Sequence, residues 1–496
     1  MHRPAVAEAV MAAELAAVRP DLLSRFTAEL PGARAAVLTR LWRGLAYDPL
    51  PWVAGRERGP EELTLRLRDG RSLRGPVPDP YATDAYVTVV RLDGEPYDDP
   101  ARLMTALGVP HGSGLAAELD HSAVSSALSR AGRPAGTGRE WPTEDWAWER
   151  RVVDGHPYHP NCRSRPGFSA ADQLAYAPEH GPVVELRLIP VPAERCLVSG
   201  CWPAELRDGG RVLVPVHPWQ AEHVLKQRGG PGPAARPLMS LRTLELPGGQ
   251  HVKTSLSARL TSSVRDISVG SVAAAAALSA FGETVAAGTD GLLHITRTLG
   301  AVTAGSPDLA ALLRESPRVY AAAGERVVPV AALPTTGLPR DPAWSARFAR
   351  LALTVGLRLL ERGIALEAHG QNLLVVLSAS GEPVRLVYRD LADIRVSPAL
   401  FGAQLPEGMP ERILTDDVTA LRRKLFGSLV AGALAATAGS GRALAAALAD
   451  AVRQVPDTPH LAALTGEPLP AKALTLMRLS PGTPGDRWTD LPNPLR

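Results

Sequence analysis

Apolar positions recur at helical spacing from the start of the chain. Val10, Leu15, Leu22, Leu23, Phe26 and Leu30 predict helix over residues 1 to about 45. From Glu61 the period shortens: Leu63, Leu65 and Leu67 alternate with polar residues and Asp69-Gly70 turns the chain, which predicts a hairpin. Ala85 to Leu92 reads as a further strand with Asp93-Gly94 as its turn, and a helix near 115–130 closes this α+β portion. Gly132 to Gly138 has the composition of a linker.

The middle of the chain reads as strands with long connections. Val183 to Val191 and Arg211 to Val216 are apolar, β-forming runs, the second leading into His217-Pro218-Trp219-Gln220. Thr243 to Leu246, the turn Pro247-Gly248-Gly249 and the run from Val252 predict another hairpin, and Ser271 to Phe281 an Ala-rich helix. Pro334 to Pro342 is linker-like. An amphipathic helix is predicted from Trp344 to Arg362, stopped by Gly363. Ile364 to Val376, a turn at Ser380-Gly381 and a strand through Arg385 to Tyr388 follow, and the tail from about residue 410 is predicted helical.

Composition narrows the class. The 496 residues suffice for two or three packed domains, and 45% hydrophobic with 21% charged residues is ordinary globular usage. A net charge of +3 with no basic run predicts no nucleic-acid partner. Glu8 and Glu14 interrupt the first apolar stretch, so no signal peptide is expected. Leu425 to Gly441 is rich in Ala, Gly and Ser and reads as a packed core helix, so no membrane association is expected. Three cysteines without a CxxC predict a reduced, cytoplasmic setting. Only Lys226, Lys253, Lys424 and Lys472 among the 54 basic residues are lysine. Arginine is this chain's default cation, which draws attention to a lysine inside a chemical motif.

Three polar clusters carry candidate chemistry. The first, Gly155-His156-Pro157-Tyr158-His159-Pro160 with Arg163, Arg165 and Gly167, combines imidazoles, arginine forks and stiffening prolines. It suits an anionic ligand, or else a solvated turn; no carboxylate or further His or Cys stands near at zinc-ligand spacing. The second runs from Ser240, Arg242 and Thr243 across a turn to Lys253, Thr254, Ser255, Ser257, Arg259, Thr261 and Arg265. Strand alternation places Lys253, Ser255, Ser257 and Arg259 on one face, fit to bind a polyphosphate or to stand as an exposed sheet surface. The third, Glu367-Ala368-His369-Gly370-Gln371-Asn372, followed after a hairpin by Arg389-Asp390, offers carboxylate and amide oxygens to Mg²⁺, or turn caps. Its layout resembles the catalytic segment of protein kinases without the expected catalytic aspartate. No Walker A motif is present.

Together these segments resemble the IucA/IucC family of siderophore synthetases that work without a nonribosomal peptide template. The family's HPxHPxxKxRxG segment appears at His156 to Gly167, with Arg163 where lysine is usual. Its hydroxyl-and-arginine strand appears at Ser240, Arg242 and Thr243, its lysine-to-arginine segment at Lys253 to Arg265, and its EAHxQN loop at Glu367 to Asn372. The resemblance implies an α+β, three-part cupped hand: a thumb over 1–138, β-rich fingers over 139–335 and a palm with a kinase-like segment over 336–496. It implies an AMP- and pyrophosphate-forming ligase that uses ATP and Mg²⁺ to join a carboxylic acid to an amine or alcohol, and a possible homodimer. It places His156, His159, Arg163, Arg165, Ser240, Arg242, Thr243, Lys253 and Gln371 at ATP, and Thr261, Arg265, His369 and Arg389 at the substrate carboxylate. Glu367, Asn372 and Asp390 become metal ligands, and Lys253, Arg265 and His369 the catalytic residues. Two other readings remain: a kinase-like phosphotransferase, and a non-catalytic ferric-siderophore-handling protein. The latter usually needs a cysteine cluster, and no cysteine follows Cys201.

Overall fold

The computed structural model describes residues 6–133, 140–260, 263–402, 405–483 and 485–496. Most of the predicted linker Gly132–Gly138 falls outside them, as does Thr261.

The N-terminal helical pattern resolves into helices Val6–Val18 and Leu23–Tyr47. Leu38, Leu41, Trp42 and Leu45 bury one face of the second against an antiparallel meander of five strands, together with helices Pro100–Leu107 and Gly112–Ala131. The predicted hairpin forms as Glu62–Leu67 with Ser72–Pro76, and Leu63, Leu65 and Leu67 all point into this core. The strand expected from Ala85 is shorter, Val90–Leu92. Val87 N–H donates to Thr39 Oγ1 at 2.8 Å, so at that point the chain bonds to the helix and not to a sheet neighbour.

The centre is a nine-stranded sheet whose neighbours are all antiparallel. Its middle holds the predicted hairpin, Thr243–Glu245 with His251–Thr254, and Lys253 lies opposite Thr243. The Ala-rich helix is two helices, Val269–Ala273 and Ala275–Ala287.

A four-stranded mixed sheet follows, in the order Leu293–Ile295, Pro383–Tyr388, Leu373–Leu377, Arg326–Pro329. Helix Pro342–Glu361 packs against it. Asp341 caps the helix by accepting from Ala343 N–H at 2.9 Å, Pro342 occupies the first turn, and Gly363 leaves it at φ +71. Trp344, Phe348, Leu353 and Leu357 fall on its buried stripe.

The tail is helical over much of its length, but it also contains a hairpin the pattern did not predict, Leu469–Lys472 with Trp488–Leu491. It closes back on the first domain. Asp48 Oδ2 accepts from Thr475 and Leu476 N–H at 2.9 and 3.0 Å, and Arg478 pairs with Glu118. Among the described residues no single helix is long and apolar enough to cross a membrane. One bent pair, Val418–Ala438 with Gly441–Val452, passes by length and composition. Its Leu425, Phe426, Leu429, Val430 and Leu434 lie in the main core, as expected for a packed helix.

Candidate active site

All three polar clusters meet at one cavity of about 950 Å³, walled by helix Leu23–Tyr47, the central sheet, the loops at the ends of the mixed sheet's strands and the tail. Every residue that the family resemblance assigns to ATP, acid or metal, among the described ones, lines it, whereas Thr254, Ser255, Ser257 and Arg259 of the second cluster do not.

The histidine loop is built by ion pairing behind it. Gly155 takes φ +72, and a Cβ there would lie 3.1 Å from both Arg163 Nε and Cys162 Sγ, so the turn needs glycine. Arg163 and Arg165 are buried and both reach Glu179, at 3.3 and 2.8 Å. Ser129 Oγ donates to the same carboxylate at 2.6 Å. Burial opposes the charge on Glu179, yet the two guanidiniums hold its carboxyl well below the usual range. Arg163 also donates to Val152 O and Val153 O at 2.5 Å each and Arg165 to Gln173 Oε1 at 3.4 Å, so both guanidiniums are engaged behind the loop, and His156 and His159 carry its polar face. Burial keeps both imidazoles neutral. His159 is lowered to about 3, with Arg478 and Arg265 adding to the effect, and His156 lies well below its ordinary value.

The second cluster does not keep its strand. His251–Thr254 belongs to the central sheet, but Ser255 marks a departure, and Leu256–Leu260 pairs instead with Ser263–Arg265. The four residues expected on one face are thereby separated. Ser255 Oγ donates to Pro307 O at 2.6 Å, and Ser257 Oγ bonds Asp308 Oδ1 at 2.5 Å. Arg259 is exposed, while Lys253 alone of the four reaches across the cavity, to Asp390 Oδ2 at 2.6 Å. The departing hairpin brings Arg265 beside Arg242, whose Nη1 donates to Arg265 O and Asp266 O at 2.6 Å each. Ser240 Oγ donates to Thr243 Oγ1 at 2.9 Å, and Leu241 between them sits at φ +64, a strained position for leucine.

The third cluster is threaded tightly. A Cβ on Gly370 would lie 3.0 Å from Ala331 N and 3.2 Å from its Cα, so backbone approaches backbone there and only glycine fits. His369 Nδ1 accepts from Gln371 N–H at 3.2 Å. Arg389 pairs with buried Glu149 at 2.7 Å and donates to Gln371 O at 3.0 Å, which fixes the loop to the following strand. Glu367 accepts from Lys472 at 2.8 Å and Lys424 at 3.2 Å. Burial works against its ionisation, but Lys472 and Lys424 help bring Glu367 down to about 2.

Glu367, Asn372 and Asp390 line the same cavity and offer it oxygen atoms, the donor type that Mg²⁺ takes. Both carboxylates are ionised and are met here by cations, Glu367 by two lysines and Asp390 by Lys253 and Arg314. Among the described residues, the His/Cys/Asp/Glu group whose ligand atoms cluster within 4.8 Å is Asp145, Glu245 and His251. Its oxygens already receive His251, Ser316, Arg318 and the Trp146 N–H.

Sequence reasoning missed Arg314, Lys424, Lys472 and Glu149. For the two lysines a signal existed, since three of the chain's four lysines (Lys253, Lys424, Lys472) line this cavity. Arg314 offered none, because arginine is the default cation everywhere else.

Buried neutral histidines make acid the weak side of this fold. Burial lowers His121 and His180 to about 4, and His159 and His217 to about 3. In the unfolded chain each takes a proton near about 6.5, so the unfolded state gains protons first as pH falls, and stability is lost below that value. Asp48 works the other way. Burial raises it to about 7, so its contribution is lost as pH rises through 7. Burial also raises Asp120 and Glu245, but it lowers His156, His294, His369 and His460 as well, so the lowered histidines outnumber the raised carboxyls. Thermal unfolding at pH 4.5 is therefore expected well below that at pH 6.5, and equal midpoints by calorimetry would contradict neutral burial of these rings.

Comparison with known proteins bears on this geometry. Residues 145–335 match the IucA / IucC family, and residues 342–484 match the family described as ferric iron reductase FhuF-like transporter. The citryl-spermidine/3,4-dihydroxybenzoyl-citryl-spermidine:spermidine ligase of Bacillus anthracis is 26% identical over 314 residues, covering 49% of this chain and 50% of that protein. The chain thus spans about half the length of the curated relatives it matches. The fold is that of the petrobactin biosynthesis protein AsbB from Bacillus anthracis str. Sterne, with a TM-score of 0.79 at 19% identity over 96% of this chain and 97% of that one. ATP-bound aerobactin synthetase IucA from a hypervirulent pathotype of Klebsiella pneumoniae follows at 0.73 and 19%, over 93% and 99% of the two chains. Over its central region, residues 145–335, the chain matches the IucA / IucC family, and its fold is shared with solved proteins of siderophore assembly.

Proposed function

We propose that this protein is an ATP-dependent carboxylate ligase of siderophore biosynthesis, which adenylates a citrate-like or other dicarboxylic acid and condenses it with an amine or alcohol. The observation that carries this reading is the charge of the cavity. Fourteen Lys and Arg line it against seven Asp and Glu, so it is built to hold two anions together. ATP and a carboxylate repel each other when close, and fixed cations between them offset that repulsion. The names of the relatives, ligases and synthetases of citryl compounds, agree with this chemistry.

In this reading the acid's carboxylate oxygen attacks the α-phosphorus of ATP, the bond to the β-phosphate breaks, and pyrophosphate leaves. The amine or hydroxyl then attacks the acyl carbon, and AMP leaves with the acyl oxygen. Lys253, Arg242, Ser240, Thr243, His156 and His159 bind the phosphates, with Gln371 at the nucleotide, while Arg163 and Arg165 support the loop through Glu179. Arg265, His369, Arg389 and Thr261 serve the acid. Glu367, Asn372 and Asp390 would hold Mg²⁺, which supplies charge neutralisation to the leaving pyrophosphate. His369, kept below its ordinary value chiefly by burial, is a neutral ring able to accept the nucleophile's proton. The thumb, fingers and palm of a cupped hand correspond to residues 1–138, 139–335 and 336–496, with strands Leu293–Ile295 and Arg326–Pro329 lent to the palm's sheet.

Incubation with ATP, Mg²⁺ and a panel of acids and amines should release AMP and pyrophosphate only when an acid is present. ADP and phosphate as the sole products would replace this reading with the kinase-like one. An iron-handling role inherits no cysteine ligand, since residues 342–484 contain none.

A further inference from the structure

Asp390 joins two parts of the cavity wall that are distant in sequence. It follows strand Pro383–Tyr388 at φ +76, with its carbonyl accepting from Tyr388 Oη at 3.2 Å. Its carboxylate faces the central sheet. Oδ2 accepts from Lys253 Nζ at 2.6 Å and Oδ1 from Arg314 Nη2 at 3.2 Å. Arg314 ends strand Ala310–Arg314, which lies beside the strand of Lys253. Both cations are nearly buried, with side chains 10% and 11% exposed.

Arg242 and Arg265 complete the surroundings. Arg242 is brought down to about 10 by burial and by its neighbours Arg265 and Arg314, with Asp390 opposing. Burial likewise lowers Arg265, and Asp390 again opposes. Asp390 thus faces four cations, pairing directly with Lys253 and Arg314 and acting at longer range on Arg242 and Arg265, where Asp266, Asp393 and Glu367 also act.

We propose that Arg314 is a phosphate-binding residue of this site, and that Asp390 is an internal counter-ion which Lys253 and Arg314 exchange for nucleotide phosphates as a divalent cation takes the carboxylate. The proposal rests on the ATP-ligase reading and deepens it. A divalent ion approaching Oδ2 meets an ammonium 2.6 Å from that same oxygen. Phosphates approaching Lys253 and Arg314 without metal meet the carboxylate that those cations already hold. Each ligand alone faces a like charge in a poorly screened cavity, and each removes the other's obstacle. Metal and nucleotide therefore bind with positive coupling that originates at Asp390, and the coupling is reciprocal.

Calorimetric titration of ATP and of inorganic tripolyphosphate, in EDTA and in Mg²⁺, tests this on the full chain. Electron paramagnetic resonance of Mn²⁺ without nucleotide supplies the metal arm. In the wild type, Mg²⁺ tightens ATP binding by at least about tenfold, the scale of one modest coupling energy. In Asp390→Asn, metal-free ATP and tripolyphosphate bind at least about tenfold tighter than to wild type, and Mg²⁺ adds little. In Arg314→Gln, metal-free tripolyphosphate binds more weakly while Mn²⁺ alone binds more tightly, and this arm decides the matter if Asp390→Asn does not fold. Asp390→Asn with no gain in metal-free affinity, or Arg314→Gln with both affinities unchanged, overturns the exchange while leaving the ligase reading intact. A wild-type protein that binds neither ATP nor tripolyphosphate with Mg²⁺ removes both.

Discussion

Lys253→Ala is expected to lower the kcat of acid-dependent pyrophosphate release by about 10²–10³, the scale for losing one preorganised electrostatic donor. The reason lies in its position. Lys253 is held in register by the hairpin opposite Thr243, and its ammonium is already directed into the cavity by Asp390, so no rearrangement of the strand is needed when phosphate charge develops. Burial, the chief cause, lowers this lysine to about 7, and the ionised Asp390 beside it favours the charged form. Lys253→Arg keeps the charge but not the compact ammonium, and should recover only part of the loss. The measurement is steady-state turnover with saturating ATP and acid. A variant turning over within a fewfold of wild type would show that the phosphates are neutralised elsewhere.

The largest stability effect is expected at Glu179. Its removal as Glu179→Ala strands Arg163 and Arg165, two buried guanidiniums, and should cost about 3–5 kcal/mol in denaturant unfolding, the range for breaking a buried ion pair from one side. Because those arginines hold the loop that presents His156 and His159, ATP affinity should fall as well. Replacing all three charges together, as Arg163→Met with Arg165→Met and Glu179→Leu, removes the uncompensated charge and should recover much of the stability. If Glu179→Ala unfolds at the wild-type denaturant midpoint, the triad is not a support of this loop.

The chemical segments and their order were legible in the sequence because each is local. His156 to Gly167, Ser240 to Thr243 and Glu367 to Asn372 are short runs of unusual polar density. The hairpins at Asp69-Gly70 and Gly248-Gly249, and the helix stopped by Gly363, rest on turn and stop signals within a few residues, though the helix begins at Pro342, two residues before the Trp344 expected. The rarity of lysine marked Lys253 and, less noticed, Lys424 and Lys472.

Tertiary structure decided which charges meet. Lys253 and Asp390 are 137 residues apart, Lys472 and Glu367 105, and no local pattern encodes such pairs. The shared face expected for Lys253, Ser255, Ser257 and Arg259 dissolved because the chain leaves the sheet at Ser255 to bond the loop at Pro307 and Asp308. The shortened strand before Val90 and the hairpin at Leu469–Lys472 have the same origin: a neighbour distant in sequence, Thr39 in one case and Trp488–Leu491 in the other, satisfies the backbone or completes the sheet. Residue type and spacing set what each segment can bond. Which partner it bonds depends on packing, since a buried charge or backbone group must find its counterpart wherever the fold brings one within reach.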